Sequence, residues 1–242
     1  MNNKNIEFSV EEFNHIERNN NHHIFFKKLK NIKNPIILEL GVNKGSSTAK
    51  FLDYVNTFGG ELYSVDIVDC SKIIHTDRFK NILTEKWNFI KSNDLNIEYI
   101  FSKFPLLEKG VDLIYIDSYH DYTHVQKILK KWFFYIRKHG YIFFDDTESC
   151  QYRKIKDFSH SVNNDSIDAL VKDFHYRNYN QVVLTKYYSG SGLSELFKLS
   201  EFASNADFSS NVWNYNSLIG NIYLYLKKII YSLKNKDKKN DI

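Results

Sequence analysis

The chain has 242 residues, 43% of them hydrophobic, which is enough to bury one sizeable core, and we expect one domain with terminal additions. Its formal charge of +4 resides in the last sixteen residues, where six lysines meet two aspartates, so the other 226 residues are neutral, which argues against a nucleic-acid groove. No apolar run reaches membrane-spanning length, no signal-peptide core is present, and Cys70 and Cys150 fit no metal or redox spacing, so we expect a cytoplasmic protein.

The N-terminal part of the chain is polar and rich in asparagine. We interpret residues 1–34 as a helical cover, with one short helix near residues 24–32. The apolar run over residues 36–40 has the length and composition of a strand. It opens the region that we predict as the main domain, residues 35–200.

Two glycines four residues apart follow this strand and lead into small hydroxyl residues. Gly41 permits a sharp turn, Gly45 lets a helix begin close to the strand, and the N–H groups from Ser46 onward offer hydrogen-bond donors to a ligand. Glu39 at the mouth of this turn would repel a pyrophosphate but suits a sulfonium, an ammonium group or a ribose hydroxyl. The spacing lacks the three-glycine pattern of dinucleotide folds and the signature of a P-loop. A plain strand-turn-helix junction is the alternative.

A helix and a second strand complete this unit. Apolar residues at helical spacing predict a helix over residues 46–58, which two glycines terminate, and residues 61–65 read as the second strand. Asp66 ends that strand about twenty residues beyond the glycine turn, where a carboxylate can accept hydrogen bonds from both ribose hydroxyls. The alternative for Asp66 is a helix cap or a turn residue.

The next unit is predicted as a helix over residues 77–86 followed by a strand over residues 87–90. Ser92, Asn93 and Asp94 come at the end of that strand, where they could meet an adenine edge, although the same residues also form ordinary turns. The apolar run over residues 111–116 suits a central strand that is covered on both faces.

Acid and base side chains cluster directly after this central strand, with Asp117 and His120 separated by two residues. Ligands of open α/β sheets bind at the carboxyl ends of the strands, so both side chains should face the same crevice as Gly41. From Val125 onward, apolar residues with helical spacing predict an amphipathic helix that ends at Gly140.

A further buried strand over residues 141–144 ends in two carboxylates, Asp145 and Asp146. Together with Asp117 they should converge at the ends of neighbouring strands, where three acids repel one another unless a cation holds them. Oxygen ligands in an open site suit Mg²⁺ or a similar divalent ion. Capping of the next helix, or pairing with a lysine, is the alternative.

These motifs together resemble a known family. The chain from residue 36 to about residue 199 resembles the class I S-adenosylmethionine (SAM) methyltransferases, whose E-x-G-x-x-x-G motif matches residues 39–45. Residues 117–147 are similar to the metal-dependent small-molecule O-methyltransferases, both the catechol group and a bacterial family with Asp-x-x-His-x-Tyr after strand four. A polar stretch over residues 147–166 departs from the family pattern and leaves the acceptor open.

The resemblance implies roles for individual residues. It implies that His120 is the general base, in place of the lysine of the catechol group. It implies a metal site made of Asp117, Asp145 and Asp146. The predicted SAM contacts are Glu39, Gly41, Gly45, Ser46, Asp66, Ser92, Asn93 and Asp117.

The remaining elements agree with a Rossmann-like α/β fold. Residues 181–185 and 193–199 read as two strands joined by a glycine-rich connection, hence an antiparallel hairpin that closes a seven-stranded, mostly parallel sheet. Residues 201–242 are predicted as an extension with a basic amphipathic helix over residues 218–233. That helix could lie on an anionic membrane as a peripheral contact, or pack on the domain or on a second subunit of a homo-oligomer.

The sequence therefore predicts a SAM-dependent O-methyltransferase that uses Mg²⁺ or a similar cation. The expected acceptor is a hydroxyl group of a small molecule or sugar, as in secondary-metabolite or surface-glycan synthesis. A catalytically inactive SAM-binding or scaffold protein is one alternative, which the crowded acids disfavour. Nucleic-acid methylation is the other, and it would call for basic residues where the sequence places acids.

Overall fold

The computed structural model describes residues 23–150, 158–201, 205–209, 222 and 226. Seven strands form one sheet, and their bounds are β1 (Ile36–Leu40), β2 (Glu61–Asp66), β3 (Trp87–Lys91), β4 (Val111–Ile116), β5 (Ile136–Asp145), β6 (Val182–Tyr187) and β7 (Leu193–Lys198). Their order in the sheet is β3-β2-β1-β4-β5-β7-β6. Neighbouring strands from β3 to β5 pair in parallel, whereas β7 runs antiparallel to both β5 and β6. The predicted Rossmann-like sheet with its antiparallel hairpin is confirmed.

Helices cover both faces of the sheet. The α-helices within the described residues are α1 (His23–Leu29), α2 (Ser46–Phe58), α3 (Ile97–Lys103), α4 (Pro105–Glu108), α5 (Tyr122–Trp132) and α6 (Phe158–Arg177). Every residue of β1 and of β4 is buried, as expected of central strands between two helical layers. One core joins the sheet to α3, α5 and α6, and the other joins it to α1 and α2.

Helix α1 confirms the short helix predicted near residues 24–32. Its side chains contact a strand that lies far from it in the sequence. Lys28 Nζ lies 2.8 Å from a carboxylate oxygen of Glu195 on β7, and the Tyr187 hydroxyl donates to the other oxygen at 2.6 Å. Phe25 of α1 stacks on Phe51 of α2, with ring centroids 5.1 Å apart. The predicted cover is thus described from residue 23 onward, and residues 1–22 lie outside the described part.

The helix predicted over residues 77–86 is wrong. This range contains the short 3₁₀ helix Asp77–Phe79, which follows another at Ser71–His75, and Leu83 is 64% exposed. The cause is tertiary, because a Cβ on Gly45 would lie 2.7 Å from Ile73 and 2.8 Å from Phe79. The absent side chain of Gly45 therefore lets this segment pack against the start of α2.

The predicted end of the helix that begins near residue 125 is also wrong. Helix α5 ends at Trp132, and after a 3₁₀ turn the chain enters β5 at Ile136, which pairs with Val111. The register between β4 and β5 then shifts, and His139 adopts a φ of 65° at this irregularity. Helical spacing in the sequence continues into the bulged strand, which is why the pattern overshot.

Helix α6 begins within the polar stretch over residues 147–166 that departs from the family pattern, and it covers residues 158–166 of that stretch. Its polar residues Ser161, Asn164 and Ser166 are buried, so the sequence shows no clear apolar face. The predicted helix over residues 218–233 lies outside the described residues, apart from Ile222 and Leu226, where the backbone is helical. No helix in the described part of the chain is both long and apolar enough to cross a bilayer.

Candidate active site

The carboxylate at the end of β2 accepts hydrogen bonds that fix the turn after β1. Asp66 Oδ2 accepts hydrogen bonds from the backbone N–H groups of Val42 at 2.8 Å and Asn43 at 3.1 Å. Its other oxygen accepts from the N–H of Val68 at 2.8 Å. A carboxylate can accept about four hydrogen bonds, so Asp66 fixes the turn and keeps acceptor capacity for a ligand hydroxyl.

Gly41 permits a close approach between two parts of the protein. Its φ is 96°, and a Cβ there would lie 2.2 Å from the backbone oxygen of Asp117 and 2.7 Å from the backbone nitrogen of Ser118. The segment after β4 is thereby brought directly against the turn after β1. Gly41 therefore serves this close approach to the Asp117 backbone and also lines the neighbouring cavity.

Glu39 lies beneath the turn instead of at its mouth. Its side chain is fully buried, and its oxygens accept from the hydroxyls of Ser47 at 2.5 Å, Thr48 at 2.8 Å and Ser64 at 2.7 Å. Burial raises the pKa of Glu39 to about 7, against the lowering effect of these hydrogen bonds. Glu39 thus joins β1, β2 and α2, which is a structural task that the sequence analysis did not foresee.

A cavity of about 220 Å³ opens beside this turn at the carboxyl ends of the parallel strands. Its wall contains predicted cofactor residues and others that the sequence analysis missed. It is lined by Gly41, Val42, Asn43, Val65, Asp66, Ile67, Ser92, Asn93, Asp94, Asp117, Ser118, Tyr119 and His124. Glu39, Gly45 and Ser46 are not among these lining residues. Most of the other lining residues are neighbours of predicted site residues in the chain, as Val42 and Val65 are, and His124 directly precedes the helix predicted from Val125.

Acids crowd together at the ends of β4 and β5. The hydroxyl of the buried Tyr115 donates to Asp145 Oδ2 at 2.8 Å and lies 3.4 Å from Asp117 Oδ2. Burial and the neighbouring carboxylates raise the pKa of Asp117 to about 9 and that of Asp145 to about 7. The ionised form of both carboxyl groups is therefore destabilised. A positive charge bound beside them would stabilise that ionised form.

His120 lies between two of these acids. Its Nε2 is 3.7 Å from Asp117 Oδ1 and its Nδ1 is 3.8 Å from Asp146 Oδ2, which are distances too long for hydrogen bonds. The Nε2 atom is buried and has no hydrogen-bond partner. Burial lowers the pKa of His120 and outweighs the raising effect of Asp146. A neutral imidazole is thereby favoured.

Asp146 has a strained backbone. Its φ of 53° is in the left-handed region, which side chains other than glycine adopt at a cost of about 1–2 kcal/mol. This conformation turns the chain at the end of β5 and brings the Asp146 carboxylate toward His120. Strain of this kind persists only where the surrounding structure enforces it.

The donor set fits a hard divalent cation in kind. Asp117, Asp145 and Asp146 supply oxygen ligands only, and the raised pKa values of the first two would fall again beside a cation. Within the described ranges, however, no three His, Cys, Asp or Glu side chains already stand close enough to hold a metal ion. Cation binding would thus have to draw the carboxylates together, and the Tyr115 hydroxyl now stands between two of them.

Comparison with known proteins relates this fold to methyl transfer. Residues 38–147 match a family model described as a methyltransferase domain. No curated protein matches the sequence significantly. The matched segment spans the strands and turns that carry every predicted site residue.

Several solved structures share the fold. The MycE methyltransferase of the mycinamycin biosynthetic pathway, in complex with Mg and SAH (S-adenosylhomocysteine), is 15% identical with a TM-score of 0.51, over 79% of this chain and 52% of that chain. A protein from Staphylococcus aureus described as a caffeoyl-CoA O-methyltransferase is 16% identical with a TM-score of 0.52, over 79% and 93%. A protein from Clostridium thermocellum described as an rRNA-methylase is 11% identical with a TM-score of 0.53, over 73% and 95%.

This chain spans about half the length of MycE. At these low identities the similarity establishes the fold alone, and the descriptions of the second and third proteins name different acceptors, caffeoyl-CoA and rRNA. The choice of acceptor must therefore be argued from the residues of this chain.

Proposed function

We propose that this chain, whose residues 38–147 match a methyltransferase domain, transfers the methyl group of SAM to a hydroxyl of a small molecule or sugar. The proposal includes a divalent cation held by Asp117, Asp145 and Asp146, with His120 as the general base. MycE, which shares the fold, is described in complex with Mg and SAH.

The juxtaposition of His120 with Asp117 and Asp146, beside the cavity that Asp117 also lines, carries this proposal. A lowered pKa keeps the imidazole neutral and able to accept a proton. In this proposal SAM occupies the cavity, with its ribose at Asp66 and its methyl group toward Asp117. An acceptor hydroxyl held between His120 and the methyl group would be aligned for in-line attack.

A divalent cation, when bound, would lower the pKa of the acceptor hydroxyl and neutralise the crowded acids. The chain's own residues do the rest. His120 removes the hydroxyl proton, and the turn at Gly41 together with Asp66 orients the methyl donor. Nε2 of His120 is buried in the present arrangement, so neighbouring side chains must move before an acceptor can reach it.

The acidic crevice disfavours nucleic acid as the acceptor. Asp117, Asp145 and Asp146 stand where a phosphate backbone would have to approach, and like charges repel. A neutral hydroxylated molecule meets no such barrier. The similarity to an rRNA-methylase establishes a shared fold and does not alter this electrostatic argument.

Calorimetric titration with SAM and SAH tests the cofactor assignment, and thermal unfolding with and without Mg²⁺ tests the cation site. A cation at a hundred times its dissociation constant should stabilise the wild-type protein by about 2.7 kcal/mol. Asp145→Asn should lose this stabilisation and most turnover while it retains SAH affinity. Asp53→Asn, at an exposed position on α2, is the matched control and should retain all three properties.

Two results would contradict the proposal. If the protein bound neither SAM nor SAH but bound NAD instead, that result would rule out methyl transfer as its function. Full turnover in excess chelator, measured with labelled SAM and a panel of hydroxylated acceptors, would remove the cation and leave His120 as the sole activator.

A further inference from the structure

Tyr115 is a buried residue beside the acidic crevice that has no part in the proposed chemistry. It belongs to β4, precedes Asp117 by two residues, and is 1% exposed. The Asp117 N–H donates to the backbone oxygen of Leu40, so the pairing with β1 continues past the end of β4. Because side chains alternate between the two faces of a strand, Tyr115 and Asp117 lie on the same face.

Two helices fix the ring of Tyr115. The ring meets Phe25 of α1 edge-on, with centroids 5.0 Å apart, and Phe51 of α2 edge-on, with centroids 5.8 Å apart. Both phenylalanines are buried. In a close-packed core such contacts restrict the ring, so the hydroxyl is held at one place at the carboxyl ends of the strands.

The hydroxyl of Tyr115 lies between two carboxylates. It donates to Asp145 Oδ2 at 2.8 Å and lies 3.4 Å from Asp117 Oδ2. A phenol has one proton to donate, so Asp145 receives the hydrogen bond while Asp117 is close to the same oxygen. The hydroxyl thus occupies the space through which these two acids would share a ligand.

A divalent cation that joins the two acids needs the same lone pairs. Oδ1 of Asp117 faces His120, with Nε2 at 3.7 Å, which leaves Oδ2 to face Asp145. Mg²⁺ binds carboxylate oxygens at about 2.0–2.1 Å, so the Oδ2 atoms must approach each other around it. The hydroxyl hydrogen points at the Asp145 lone pair that such a cation would use. Displacement of this hydrogen bond leaves a buried hydroxyl without that acceptor, which costs free energy.

We propose that Tyr115 is a positioning residue that weakens cation binding, because its hydroxyl competes with the cation for Asp145 and Asp117. This inference rests on the proposed function, since it takes these acids as the cation ligands. The hydrogen bond holds the carboxylates in an arrangement that a cation has to break. The cation is therefore exchangeable, and its occupancy follows its concentration around the protein.

Tyr115→Phe is the direct test, because it keeps the ring between Phe25 and Phe51 and removes only the hydroxyl. Calorimetric titrations with Mg²⁺ and with Mn²⁺ should show binding that is tighter than in the wild type by on the order of tenfold to a hundredfold. A purely structural role of the hydroxyl would lower the stability of the variant without any gain in cation affinity.

Two controls locate the effect. Tyr63 is also buried, and its hydroxyl donates to Glu61 at the start of β2, the end of the strand away from the crevice. Tyr63→Phe removes the same kind of hydrogen bond and should keep the wild-type cation affinity. Addition of Asp145→Asn to Tyr115→Phe should abolish the gain, because the competition requires the Asp145 carboxylate.

The outcomes separate this inference from the proposed function. Equal or weaker cation binding by folded Tyr115→Phe would overturn the inference alone. Cation binding by Tyr115→Phe but not by the wild type would support it and contradict the proposed cation requirement. Binding by neither protein would overturn both, while SAH titration decides methyl transfer separately.

A measurement on the wild-type protein covers the case in which Tyr115→Phe does not fold. Ultraviolet difference spectra during the cation titration report on hydrogen bonds between phenols and carboxylates. Loss of the Tyr115 hydrogen bond should give a tyrosine signal that saturates together with the calorimetric binding curve and persists in Tyr63→Phe. A saturated cation site with no tyrosine signal would overturn the inference.

Discussion

The two ends of the crevice differ in how their charged groups are satisfied. On the β1–β2 side, Glu39 accepts from three hydroxyls and Asp66 from three backbone N–H groups. On the β4–β5 side, His120 has a buried nitrogen without a partner, and Asp117 has a pKa raised to about 9. The same fold thus keeps one complete polar network and one incomplete one, side by side.

This difference separates binding from chemistry. A complete network costs nothing to organise when the cofactor arrives, so the β1–β2 side is preorganised. In the incomplete network, buried polar groups lack partners, and a bound cation or acceptor can supply those partners. Substitutions on the first side should therefore affect folding and cofactor affinity, and those on the second should affect turnover.

The largest expected effect is that of Gly41→Ala, which forces the two sides apart. A Cβ there would lie 2.2 Å from the Asp117 backbone oxygen at a φ of 96°, so we expect a loss of about 3 kcal/mol or more in unfolding free energy and no SAH binding. Gly190→Ala is the control, because its φ is 60° and no atom lies within 4 Å. Denaturant unfolding of Gly190→Ala should show a loss of only about 1–2 kcal/mol in unfolding free energy. Equal losses in both variants would contradict the close approach.

A second substitution acts on the incomplete side alone. His120→Ala should reduce turnover by on the order of 10²–10⁴-fold, because it removes the proton acceptor, while SAH affinity stays unchanged. Steady-state rates with labelled SAM, together with calorimetry, measure the two effects. Near-normal turnover in folded His120→Ala would remove the histidine from catalysis and leave the acids as the activating groups.

A smaller effect is expected from Glu39→Gln as a function of pH. The folded pKa of Glu39 is raised to about 7 from a reference of 4.5, so its stabilising contribution is present below pH 4.5 and is lost as the pH rises through 7. The loss amounts to about 3 kcal/mol at most. Unfolding free energies from pH 4 to 8 should therefore fall less steeply in Glu39→Gln than in the wild type. Parallel curves would contradict the raised pKa.

The sequence predicts the parts of this molecule that follow from local pattern. Strands β1 and β4 are largely apolar runs that are followed by Gly41 and Asp117, and their predicted bounds agree with the structure. Asp117 and His120 are brought to the crevice because they directly follow β4. Strand order and the carboxyl-end rule are sufficient for such positions.

Features that depend on tertiary contacts are not predictable in this way. Asp94 and His124 are thirty residues apart, and their pairing requires α5 to pack against the turn after β3. The burial of Glu39 depends on hydroxyls from both β2 and α2. The buried face of helix α6 includes polar residues such as Asn164, so neither hydrophobic periodicity nor composition indicates this helix in the sequence.

The contact between Lys28 and Glu195, which fixes helix α1, affects when this helix can pack during synthesis of the chain. Lys28 precedes its partner Glu195 by 167 residues, so the contact cannot form until nearly the whole domain has left the ribosome. At ordinary synthesis rates of about 5–20 residues per second, that delay is roughly ten to thirty seconds. During this interval the apolar face of α1, including Phe25, has no finished sheet to cover. Nascent chains halted before β7 should therefore expose this helix to chaperones and proteases.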